Sequence, residues 1–103
     1  MSLRSDGFKD FVLDQLADLR GITARAMFGG YGLYHRATFF GIIHKDRLYF
    51  NVSKATVPRY KNHGMKPFRP NAKQTLISFY EVPIDVQEDA EQFVAWGQES
   101  TER

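Results

Sequence analysis

Apolar residues recur at three-to-four spacing through "SDGFKDFVLDQLADLRG". Phe8, Phe11 with Val12, Leu16 and Leu19 fall on one side, and Lys9, Asp10, Asp14 and Asp18 fall mainly elsewhere, which predicts a first helix. Ser5 or Asp6 can cap its start and Gly21 can end it. The period then shortens to two. In "ITARAMF", Ile22, Ala24, Ala26 and Phe28 point one way and Thr23, Arg25 and Met27 the other, as in a strand. "YGLYH", "TFFGIIH" and "RLYFNV" read as three more extended segments, the last two joined by a tight turn on Lys45 and Asp46. Strict alternation in that hairpin places Leu48, Phe50 and Val52 on a face with Phe39, Gly41 and Ile43. Phe40, Ile42 and Tyr49 then lie on the opposite face, which a two-layer domain leaves partly open.

Helical signals return in "SKATVPRYKNHG", with Thr56 as cap, Pro58 in the first turn and Gly64 as stop. "MKPFRPNAK", with Pro67 and Pro70, is expected to be an extended loop. "TLISFYEVP" is rich in β-branched and aromatic residues and predicts a strand closed by Pro83. The last segment, "DVQEDAEQFVAWGQES", predicts a helix with Val86, Ala90, Phe93 with Val94, and Gly97 inward and Trp96 on the flank. Asp85 followed by Glu88 resembles a capping box. Helix, a run of strands on short turns, helix, one or two strands and helix together predict an α+β fold. Antiparallel pairing is expected along the strand run, and the elements follow in the order α-β-β-β(β)-α-β(β)-α.

Composition narrows the picture. The 103 residues form one expected domain, 1–103; 43% are hydrophobic and 15% aromatic, enough for a core without covalent staples. The absence of cysteine excludes disulfides, thiolate metal sites and cysteine nucleophiles. No stretch reads as a signal peptide or membrane span, so a soluble, cytoplasmic protein is expected. Net charge is only +2, but its distribution is uneven. Lys54, Arg59, Lys61, Lys66, Arg69 and Lys73 occupy residues 54–73 with no acid among them, whereas residues 81–103 hold seven acids against Arg103.

Candidate chemistry is sparse. His35, His44 and His63 lack metal-ligand spacing, the serines lack a nucleophile elbow, and Asp14 with Asp18 reads as a solvated helix face. No catalytic, metal-binding or cofactor-binding residue is assigned, and no cofactor is expected. Gly29, Gly30 and Gly32 in "MFGGYGLYHR" do not form a phosphate loop, because the spacing is wrong and a strand follows. They read as a structural signature: a turn or bulge at Gly29 and Gly30, and close packing at Gly32. Two binding surfaces remain. The outward set Phe40, Ile42 and Tyr49 suits a protein partner or self-association. The basic set, interleaved with Tyr60 and Phe68, offers nucleic-acid contact as the alternative, though no recognised nucleic-acid motif accompanies it.

The order of short motifs is more specific than any one of them. "ARAMFGGYGLY" (24–34), "FFGIIHKDRLYFNV" (39–52), "YKNHGMKPF" (60–68), "SFYEVP" (78–83) and an acidic helix ending "FVAWGQES" (93–100) occur together. The chain resembles the N-terminal domain of the TfoX/Sxy family, bacterial proteins linked to regulation of competence genes. That resemblance implies a two-layer α+β domain, an antiparallel sheet with helices on one face, and a non-enzymatic regulator acting through the transcription machinery and an activator of the cyclic-AMP receptor type. Family members carry a second, C-terminal helical domain, so the chain to Arg103 is expected to be the N-terminal domain standing alone.

Overall fold

The computed structural model describes residues 3–27 and 29–102, with side chains from Gly7 onward. The alternating segments become β1 (Ile22–Met27), β2 (Gly30–His35), β3 (Thr38–His44) and β4 (Arg47–Asn51), each antiparallel to the next. Lys45 and Asp46, at φ 52° and 61°, form the two-residue turn between β3 and β4. Positive φ at both positions matches the twist of the flanking strands. Two further strands, β5 (Pro67–Asn71) and β6 (Gln74–Glu81), complete a six-stranded sheet in the order β1-β2-β3-β4-β6-β5. Residues 67–71 were expected to be loop. They form an edge strand, where prolines without N–H groups are tolerated.

The helices are α1 (Leu3–Gln15), α2 (Val57–Asn62), α3 (Ile84–Gln87) and α4 (Ala90–Thr101). All four send side chains to one sheet face. Val12 and Leu16, Tyr60, Val86, and Phe93 with Trp96 meet Leu33, Ile43, Leu48 and Phe50 in the main core. Phe93 stacks on Phe50 with ring centroids 5.5 Å apart. Fully burying each such side chain stabilises by about 1.5–3 kcal/mol, so the amphipathic faces, rather than helix propensity, hold these short helices in place. The fold is α+β and antiparallel, and the order is the predicted one except that two helices stand where one was expected at the end.

Helix ends differ from the sequence expectation. α1 already runs through Ser5 and Asp6, whose side chains lie outside the described residues, as does Phe28. It ends at Gln15, and turns carry the chain to Gly21. The final helix is two helices. Asp85 does not cap; Pro83 precedes α3, and Asp89 caps α4 by accepting from the Gln92 N–H at 3.2 Å. Gln92 Nε2 also donates to Asp89 Oδ2 at 3.0 Å, so the N-cap sits four residues later than predicted, without the reciprocal bond of a capping box.

Candidate functional site

The outer face of the sheet is where structure and strict alternation diverge. Pairing of β2 with β3 matches Leu33 to Gly41 but Tyr34 to Phe39, leaving Phe40 as an extra residue in β3. This β-bulge exchanges the faces of the two phenylalanines. Phe40 is fully buried in the main core, its ring 5.7 Å from that of Phe50, and so does not belong to an outward partner face. Phe39 points outward instead, with Tyr34 and Phe79 each 5.3 Å away. Ile42 and Tyr49 do face outward as expected, opposite one another across β3 and β4. They are nevertheless only 7% and 9% exposed.

Their cover is the β5–β6 hairpin. In its ladder Pro67 pairs with Tyr80 but Phe68 pairs with Leu76, so Ile77 to Phe79 have no partner on β5. The outer half of the hairpin leaves the sheet plane at this break. In a flat sheet Phe68 would lie three strand spacings from β3, about 14 Å. Its ring is instead 4.7 Å from Tyr49 and 5.3 Å from His44. A cleft of about 540 Å³ remains between sheet and hairpin, walled by Met27, Phe39, Ile42, Phe68 and Leu76. His44, Asn71 and Gln74 bring its polar groups. Burial, then the charge of Lys45, holds the His44 imidazole below its ordinary pKa of 6.5. Burial and the Glu81 carboxylate raise the Tyr49 hydroxyl, against an opposing pull from Arg47, which is ion-paired to Glu81 at 3.2 Å.

The glycine cluster frames this face. Gly29 takes φ +75° in the β1–β2 turn. A Cβ on Gly30 would sit 2.0 Å from the Ile43 carbonyl oxygen, so only glycine fits there. At Gly32, on the cleft side, a Cβ would meet Met27 Cε at 2.5 Å and Phe39 Cε1 at 3.1 Å. Turn, close approach and packing are thus divided among the three positions.

Residues 14–103 match the TfoX N-terminal domain. The chain belongs to that family. Curated proteins gave no match to it.

In this TfoX-type domain the basic segment lines two depressions. Lys54 and Lys61 line a depression with Val57 and the exposed Ile77. Lys66 and Arg69 line a second, with Arg47 and Glu81. Lys73 sits in the β5–β6 turn, its backbone N–H donating to Asn71 Oδ1 at 2.8 Å. Arg59 departs furthest from the expectation. It is ion-paired with Glu99, and its guanidinium lies 4.3 Å from the centre of the Trp96 ring. Tyr60 and His63 also pack on that indole, at 4.8 and 5.4 Å, so Arg59 fastens α2 to α4. Among the described residues no three His, Asp or Glu side chains converge as metal ligands. His35 lines a depression with Arg36 and Glu102, whereas His44 packs against Phe68 and His63 against Trp96. No described helix is long and apolar enough to cross a membrane.

Sequence reasoning did not pick out Met27 or Leu76 for a binding site, set Phe39 on the inner face and noted Phe68 only beside the basic set. The paired aromatics Phe39–Phe40 and the Pro-Phe-Arg-Pro run were the available signals. Neither reveals a bulge or a hairpin that folds over.

Proposed function

We propose that the chain is a non-enzymatic regulatory module that acts by protein–protein contacts in the control of transcription or of DNA-uptake competence. The match of residues 14–103 to the TfoX N-terminal domain carries this reading. The partner is a component of the transcription machinery or a second copy of the chain, met in the cytoplasm. With Phe40 in the core and Ile42 and Tyr49 covered, the accessible apolar contacts on offer include Ile77 and Ile84, 75% and 57% exposed.

Direct nucleic-acid binding is the second reading, favoured by the exposure of Lys54, Lys61, Lys66, Arg69 and Lys73. One experiment separates the two. Purified chain is titrated against RNA polymerase, a cyclic-AMP-receptor-type activator and duplex DNA, with its own mass followed by sedimentation. Saturable protein binding or dimerisation, with DNA binding absent, supports the regulatory module. A strict monomer that binds only DNA overturns it. In that case the logarithm of affinity falls with the logarithm of salt by about 0.9 per phosphate contacted.

A further inference from the structure

The cleft under the β5–β6 hairpin is built by several separate local devices. The bulge at Phe40 turns Phe39 into it, and the register break in β5–β6 carries Phe68 over Tyr49. Gly32 leaves the floor free of a side chain where Met27 and Phe39 approach. Its volume of about 540 Å³ lies inside the usual range for small-molecule pockets, roughly 300–1,000 Å³.

Its lining differs in kind from the other depressions described. Those carry Lys54 and Lys61, or Arg47, Lys66 and Glu81, or Asp18, Arg20 and Glu102. The nine residues lining the cleft include no Asp, Glu, Lys or Arg. A charged ligand body would lose its hydration there and meet no opposite charge. An apolar body gains about 25 cal/mol for each Å² it removes from water. The His44 imidazole and the Asn71 and Gln74 carboxamides supply both donors and acceptors, enough to orient a polar group.

We propose that this cleft binds an uncharged, predominantly apolar small molecule. The body of the ligand lies among Phe39, Ile42, Phe68 and Leu76, and a polar group meets His44, Asn71 or Gln74. This goes beyond the regulatory reading and stands or falls without it, because ligand binding is measured on the isolated chain.

The test uses two dyes that differ by one charge. N-phenyl-1-naphthylamine is neutral and fluoresces when removed from water; 8-anilinonaphthalene-1-sulfonate has the same rings and an added sulfonate. The neutral dye is expected to saturate a single site and to bind at least about tenfold tighter than the sulfonate. Leu76→Trp, which fills the cleft, is expected to weaken it by about tenfold or more, and Ile77→Ser, at the exposed next residue, by less than about twofold. Amide chemical shifts of the unsubstituted chain should move around Phe39, Ile42, Phe68 and Leu76. Non-saturable binding, equal or tighter binding of the sulfonate, or a folded Leu76→Trp with unchanged affinity overturns the proposal. If Leu76→Trp does not fold, the shift map decides: movement centred on Val52, Val57 and Ile77 overturns it.

Discussion

Gly30 and Gly7 show how differently one residue type is constrained by its surroundings. A methyl group on Gly30 would collide with the backbone carbonyl of Ile43, which cannot move without breaking the β2–β3 ladder. Gly7 lies in α1, where an added Cβ meets nothing within 4 Å. Gly30→Ala is therefore expected to destabilise by about 3 kcal/mol, and Gly7→Ala to stabilise by about 0.5–1 kcal/mol. Urea denaturation of the two variants checks both signs. The sequence marked Gly29 and Gly30 as special because they separate two alternating runs. It did not contain the distance to Ile43, since that residue reaches Gly30 only when β3 pairs with β2.

At the scale of elements, the β3 bulge decides which phenylalanine serves the core. Phe40→Ala removes a fully buried ring and should cost about 3–5 kcal/mol. Phe39→Ala, on the half-buried outer face, should cost about 1–2 kcal/mol. The reverse ranking in denaturation midpoints would mean that strict alternation holds through β3. Alternation correctly placed Ile42, Ile43, Leu48, Tyr49 and Phe50, because the turn at Lys45 and Asp46 sets their register locally. It failed at Phe40 and Phe39, the two residues before Gly41, where register is set by β2 and not by the turn. The final helix shows a similar shift. Both Asp85 and Asp89 are followed three residues later by a side chain fit for a capping box, and sequence spacing alone does not choose between them. The choice follows from Pro83 at the start of α3 and from Val86 and Phe93 both reaching the core.

Across the molecule, the folded-over hairpin couples stability to pH through His44. Its imidazole packs edge-on against Phe68, beside Lys45 and opposite Arg47 across the β3–β4 hairpin. Burial and Lys45 depress its pKa below 6.5 in the folded state. The unfolded chain therefore takes up this proton first as pH falls. Stability from this group is full above pH 6.5 and is lost as pH drops from 6.5 through the depressed folded value. Urea midpoints measured between pH 8 and pH 5 should fall over that window, and His44→Gln should flatten the dependence; an unchanged slope in the variant would refute the assignment. Asp89 acts in a separate range. Its carboxylate is held below 3.8 by the side-chain and backbone hydrogen bonds of Gln92, so its contribution is present above 3.8 and lost as pH falls further.

Periodicity by itself determined most of the elements, including the first helix, the four consecutive strands and β6, and the antiparallel pairing of the strands joined by short turns, because each rests on neighbours within a few residues. The run of short motifs likewise pointed to the TfoX family before any fold was known. Only the tertiary structure decided that Phe40 lies inside and Phe39 outside, that Arg59 belongs to Trp96 and Glu99, and that a strand from 67–71 roofs Ile42 and Tyr49. Each of these depends on pairing between segments distant in the chain. The energy of such pairing comes from which surfaces meet, and a linear pattern of apolar and polar residues does not encode that meeting.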